Sequence, residues 1–138
     1  MKQNLYIPGD LVIYKPDNLV YEVRESCPYE YDYNYRSNEE HEGRYKLMTR
    51  TEVYTVLTWE KYITPIPITS SILKKNGWKK SQIYFTNSQI PRVKLCTDER
   101  EGKWSVSING DIMGGYIYYV HQLQHILFAF KLNNDMEV

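Results

Sequence analysis

The chain has 138 residues, with 17 Lys plus Arg against 17 Asp plus Glu. This length predicts one domain or two very small ones, and the zero formal charge excludes a chain that is uniformly basic or acidic. The hydrophobic share of 42% and the charged share of 25% are those of a folded globular protein rather than a disordered one. Tyrosine is the outlier, with 14 residues against three Phe and three Trp.

Residues 1–64 have the pattern of short strands separated by turns. Pro8-Gly9-Asp10 and Pro16-Asp17-Asn18 are turn signals, and runs rich in Val, Ile, Thr and Tyr follow them. Five such strands within roughly 60 residues predict a small SH3-like β-barrel, an architecture that leaves few free edges. We expect an extended Tyr-rich hairpin at about residues 26–43.

Residues 65–138 predict an α+β half, which either forms its own core or shares one with the barrel. Pro65 and Pro67 hold the backbone extended and end the first region. Capping residues before an apolar pair, the glycine Gly77, and period-two alternation in Trp104–Ile108 support the elements that follow. We predict helices at about 70–76 and 118–131, and strands at about 82–85, 92–97 and 103–108. The predicted fold class is therefore α+β.

The segment from Pro28 to Arg36 alternates tyrosines with polar and charged residues at the period of a β-strand. The rings would all lie on one side, either covering the barrel or forming a surface that recognises a protein partner. The candidate binding residues are Tyr29, Tyr31, Tyr33, Tyr35, Glu30 and Asp32. The polar run Ser37–Gly43 follows directly and extends the surface.

The zero net charge is composed of two opposed segments. Residues 21–43 hold seven acids against two arginines, and residues 44–80 hold eight bases against two acids. The two segments either pair with each other or leave a basic face that contacts phosphate. The candidate residues of this basic patch are Lys74, Lys75, Lys79 and Lys80.

His121 and His125 are four residues apart on the predicted C-terminal helix, so both rings could contact one metal ion. A zinc hydrolase of this kind requires a glutamate base between them, but the chain has Gln122. An ordinary hydrogen-bonded histidine pair is therefore the preferred interpretation, and we predict no metal, no cofactor and no catalytic residues. Cys27 and Cys96 are too few for a disulfide scaffold and predict free thiols in a reducing, cytoplasmic setting.

Two segments resemble a family of small proteins of Bacteroides-type gut bacteria and their phages. They are Ile66–Trp78, with its Asn-Gly-Trp ending, and Tyr119-Val-His-Gln-Leu-Gln124 followed by Phe128-Ala129. The resemblance covers residues 64–132 and, before them, only the Gly-Asp-Leu-Val start. The chain departs from the family at His125, where members often carry Asn, and in the Tyr-rich insertion.

The family resembled has no established activity, so the resemblance implies a phage or mobile-element setting and no chemistry. The motif residues Tyr119, His121, Gln122 and Gln124 are expected to be structural. A half-buried His and Gln beside the apolar stripe of a helix commonly bind backbone groups of an adjacent sheet.

These observations favour a non-enzymatic, cytoplasmic binding protein whose partner is another protein. No apolar stretch is long enough to predict a membrane span. A nucleic-acid-associated protein that uses the basic patch is the first alternative. A metal-dependent enzyme that uses His121 and His125 is the second.

Overall fold

The computed structural model describes residues 5–27, 44–51, 53–98 and 102–138. These residues form two antiparallel five-stranded sheets and two α-helices. The chain divides into two compact units, Met1–Ile66 and Pro67–Val138. The fold is thus mostly β with few helices, consistent with the predicted α+β class.

The first unit contains one sheet with strand order β4-β3-β2-β1-β5. Its strands are β1 (Leu11–Tyr14), β2 (Leu19–Cys27), β3 (Arg44–Thr49), β4 (Thr55–Trp59) and β5 (Ile63–Pro65). A 3₁₀ turn, Glu60–Tyr62, connects β4 to β5. Within the described residues no ladder joins β4 to β5, so this sheet has two edges and the predicted closure into a barrel is not observed there.

The Pro8-Gly9-Asp10 turn anchors the start of the first sheet. Gly9 has φ +98°, a conformation that side chains disfavour, and its N–H donates to the carbonyl of Val23 at 2.8 Å. The Asp10 carboxylate is buried and accepts the Ile7 N–H at 2.9 Å. The turn is therefore hydrogen-bonded to the middle of β2, over a core formed by Tyr6, Val12, Tyr21, Val23, Tyr45, Leu47 and Ile63.

The second unit contains a sheet with strand order β10-β9-β8-β7-β6. Its strands are β6 (Trp78–Ser81), β7 (Tyr84–Asn87), β8 (Val93–Asp98), β9 (Lys103–Ile108) and β10 (Asp111–Ile112). The helices are α1 (Ser70–Lys75) and α2 (Val120–Ala129). As predicted, β9 alternates between buried Trp104, Val106 and Ile108 and half-buried serines. One face of this sheet is therefore core and the other is wet.

The sequence prediction for α1 is confirmed at both ends. The Thr69 hydroxyl accepts the Ile72 N–H at 3.2 Å, and Asn76 is the C-terminal cap. Gly77 follows with φ +87°, and Trp78 behind it is buried. A left-handed glycine with an apolar residue just after it is a common way for a helix to end.

Two predicted elements differ from the structure. The single strand expected at about 82–85 is replaced by the hairpin of β6 and β7, because the backbone turns at Gln82, where φ is +57°. The helix expected at 118–131 is shorter, because Tyr119 is extended and caps it while Lys131 has φ +58° just beyond its end.

No helix of the described residues has the length and apolarity needed to cross a bilayer.

Candidate functional site

The Tyr-rich surface lies outside the described residues. This holds for Tyr29, Tyr31, Tyr33, Tyr35, Glu30 and Asp32, and for the run Ser37–Gly43. The predicted recognition surface on this segment therefore stays a prediction.

The four lysines of the predicted basic patch are exposed but do not lie on one face. Lys79 and Lys80 are successive residues of β6, so their side chains project to opposite faces of the sheet. Lys80 places its ammonium 5.9 Å from the centroid of the Phe85 ring, on the core side of the sheet. Lys74 and Lys75 are on α1, where Lys75 donates to the carbonyl oxygen of Val138 at 3.2 Å. The patch is thus divided among two elements and two sheet faces.

His121 and His125 pack against each other on successive turns of α2, where their rings meet edge to face with centroids 5.5 Å apart. His121 is also stacked on Tyr119 at 5.9 Å. Burial, reinforced by the nearby His125, lowers the pKa of His121 to about 4. Within the described part of the chain, no group of three or more His, Cys, Asp or Glu side chains is placed to hold a metal ion.

Gln122 caps α2. Its side-chain oxygen accepts the N–H groups of Tyr118 and Tyr119 at 2.7 and 3.0 Å. These are backbone donors at the helix start that have no partner within the helix. Gln122, which stands where a zincin has its glutamate base, therefore caps the helix instead.

The C-terminal tail is held by two side-chain amides. Gln124 is buried and donates to the carbonyl of Asn134 at 3.2 Å. Asn76 binds both backbone groups of Glu137, donating to its carbonyl at 2.6 Å and accepting its N–H at 2.7 Å. Met136, which lies between the bonded tail residues Asn134 and Glu137, is 3% exposed. Gln124 thus binds backbone as expected for a motif residue, but in the tail rather than in the sheet.

We expect Asn76→Ala to release this tail. The substitution removes both bonds to Glu137 and a third to the Ile72 carbonyl, and should lower the free energy of unfolding by about 2 kcal/mol. Hydrogen exchange of residues 133–138 should accelerate in the same variant. Asn133→Ala is the matched control, because among the described residues its side chain accepts one local N–H, from Asp135, whose exchange is left out of the comparison. Equal exchange rates in the two variants would contradict the role assigned to Asn76 in holding the tail.

Two buried or hydrogen-bonded tyrosines in the first unit have a raised pKa of about 12. For Tyr21 the main cause is the hydrogen bond that its hydroxyl donates to Asp17, and for Tyr45 it is burial. The Tyr45 hydroxyl also accepts the Tyr6 N–H and donates to Glu60, both at 3.3 Å. Together with His121, these groups have pKa values displaced away from neutrality, which does not suit acid–base work at pH 7.

The free edge of β4 is the feature that the sequence analysis missed. Leu57 in β4 is 77% exposed, and Val53 and Tyr54 just before this strand are 67% and 65% exposed. Among the described residues only β3 pairs with β4. Leu57 is paired with Lys46, on the outer face. The sequence feature that could have indicated this edge is the uncharged run Val53–Trp59 between Glu52 and Glu60.

Comparisons of the chain with models of protein families, with curated proteins and with solved structures gave no match.

Proposed function

We propose that this protein is a non-catalytic binding protein that acts through protein–protein contacts, and that its partner adds an extended strand to the free edge of β4. In strand addition, backbone hydrogen bonds supply affinity and the alternate side chains supply specificity. The main support for the proposal is that β4 lacks the protective features found on the other three sheet edges of the described residues.

Sheet edges present unpaired backbone groups, and proteins commonly protect them with lysine, proline or short length. The edge strand β5 ends in Pro65, β6 carries Lys79 and Lys80, and β10 is the two-residue strand Asp111–Ile112. The edge strand β4 has none of these features. Its residues Thr55–Trp59 are uncharged and rich in β-formers. An edge of this kind favours pairing with another strand.

The side chains of β4 indicate what kind of strand would fit. Leu57 lies on the outer face with Thr55 and Trp59, while Thr58 is buried and Val56 packs against the core of the first unit. The arginine Arg44 stacks on Trp59, with its guanidinium carbon 4.3 Å from the ring centroid. An uncharged partner segment with an apolar residue beside Leu57 would bury this exposed surface.

We further propose that the first unit is an SH3-like domain. The meander order of its strands, the 3₁₀ turn before the last strand and the small aromatic core support this assignment. The resemblance of residues 64–132 to a family of small proteins of gut bacteria and their phages supports a phage or mobile-element setting. Having only two cysteines supports the cytoplasm as its location.

The proposal predicts that Leu57→Lys strongly weakens partner binding without unfolding the protein. The side chain is 77% exposed, so a lysine there costs little in folding but places a charge at the pairing edge. The amount of partner captured by Leu57→Lys should be at least tenfold lower than the amount captured by the wild type. In the wild-type complex, hydrogen exchange should slow in residues 53–59, and sedimentation should show whether a second copy or another protein is bound.

Leu19→Lys is the matched control, because Leu19 is 54% exposed and lies in β2, away from the edge. It should bind as the wild type does. Retention of the partner by Leu57→Lys, or protection confined to residues outside 53–59, would refute strand addition at β4.

A further inference from the structure

The outer face of the second sheet presents an ordered row of side chains across all five strands. The register pairs Lys79 with Thr86, Thr86 with Lys94, Lys94 with Ser107 and Ser107 with Ile112. Directly paired residues project to the same face, so these side chains form one line. Lys79 and Lys94 are two strands apart, which corresponds to about 10 Å.

A groove of about 330 Å³ lies on this face. Its floor consists of small residues, Cys96, Ser105 and Ser107, and its rim is formed by the larger Tyr84, Lys94 and Ile112. The volume is near the lower end of the range for small-molecule sites and suits a single nucleotide unit. None of the residues that line it is acidic.

Tyr84 and Lys94 combine an aromatic ring and a cation at one end of the groove. Tyr84 is paired with Cys96 in the neighbouring strand and is 42% exposed. The Lys94 ammonium lies 5.8 Å from the centroid of the Tyr84 ring. The ring thus offers a stacking surface, while Lys94 and Lys79 supply positive charge along the row.

We propose that this face binds single-stranded nucleic acid, with one base stacked on Tyr84 and the adjacent phosphates held by Lys94 and Lys79. Aromatic residues on an open sheet face beside basic side chains are a general solution for binding unpaired bases, because every base has a flat face and every nucleotide a phosphate. This function is independent of strand addition at β4. It uses one lysine of the patch predicted from sequence, Lys79, and one that the sequence analysis did not select, Lys94.

The Ser105 and Ser107 hydroxyls offer contacts to the base in addition to the phosphate contacts of the lysines. Both lie on the groove floor beside Tyr84 and Lys94. Ser105 donates its hydroxyl to the Cys96 carbonyl at 3.5 Å and can accept from the edge of a stacked base, while Ser107 can donate or accept. A hydroxyl group can pair with either a donor or an acceptor on the edge of a base, so we expect little preference for one base over another. A duplex would not fit, since its bases are already stacked and paired.

The test is fluorescence anisotropy of labelled oligothymidylate and oligouridylate, each of about 15 nucleotides, with the full chain at low salt. Tyr84→Ala should weaken binding by about 10-fold, because stacking of one base is lost. Tyr84→Phe keeps the ring and should bind as the wild type does. The double variant Lys79→Gln/Lys94→Gln should reduce the slope of log affinity against log salt by about 1.4, as expected for two single-strand phosphate contacts.

Lys74→Gln is the control for a general effect of charge, because Lys74 is exposed on α1. Binding that Lys74→Gln weakens as much as Lys94→Gln does would overturn the assignment, and so would an absence of binding to both oligonucleotides at low salt. An equal loss in Tyr84→Phe and Tyr84→Ala would overturn the stacking role. Tighter binding of one oligonucleotide than the other would support the site and identify its ligand as DNA or RNA.

Discussion

Replacing Trp104 with alanine is expected to lower the free energy of unfolding by about 3–5 kcal/mol, the range for truncating a large buried aromatic. Trp104 is 2% exposed and is one of the largest fully enclosed side chains of the described residues. Its indole N–H donates to the carbonyl of Ile68 at 3.2 Å, and its ring meets Phe85 edge to face at 5.4 Å. Alanine would leave a cavity and an unbonded buried carbonyl. Urea denaturation followed by circular dichroism measures the loss, and hydrogen exchange in β8 and β9 assigns it to the second unit.

Two further variants separate the contributions of Trp104. Trp104→Phe keeps most of the ring but removes the bond to Ile68, and should cost about 1–3 kcal/mol. Trp59→Ala is the matched aromatic control, because Trp59 is only half-buried. We expect Trp59→Ala to destabilise the protein less than Trp104→Ala does. A cost below about 1 kcal/mol for Trp104→Ala would show that this side chain does not organise the core.

The second large effect is a loss of stability with falling pH through His121. Well above the unfolded pKa of about 6.5 the residue is neutral in both the folded and the unfolded chain, so its titration does not affect stability there. Below that pH the unfolded chain binds a proton, while burial keeps the folded His121 neutral until the pH nears its lowered pKa of about 4. The free energy of unfolding should therefore fall by about 3 kcal/mol between pH 6.5 and pH 4.

Denaturant titrations of the wild type and of His121→Gln across this range test the effect. The variant should lose less stability as the pH falls, because glutamine does not titrate. His125→Gln should keep most of the pH dependence, since the charge of His125 is the smaller of the two causes of the shift and burial remains. Identical pH profiles for wild type and His121→Gln would contradict the assignment.

Local patterns predicted the elements whose ends are set by neighbouring residues. The helix α1 begins at a side-chain cap and ends at Gly77, and both signals act within a few residues along the chain. The alternation in Trp104–Ile108 predicted one buried and one wet face because strand side chains alternate whatever their partners are. The Tyr119–Gln124 motif was expected to be structural, and both glutamines in it bind backbone groups.

The errors arose where a turn or a pairing decides the outcome. The strand predicted at 82–85 was wrong because Gln82 adopts a left-handed conformation that its residue type does not announce. The basic patch was grouped by proximity in sequence, but successive strand residues face opposite ways, so Lys79 and Lys80 are separated. Lys94 joins Lys79 only through the pairing of β6, β7 and β8.

The amino-acid sequence by itself determined that the zero net charge conceals opposed segments, that strands predominate and that a short capped helix follows the paired prolines. These properties depend on composition and on contacts within a few residues. Only the tertiary structure decided which strands are edges among the described residues, which lysines share a face and how deeply His121 is buried. Each of these depends on pairing and packing between residues that are distant in the chain, which composition and periodicity do not record.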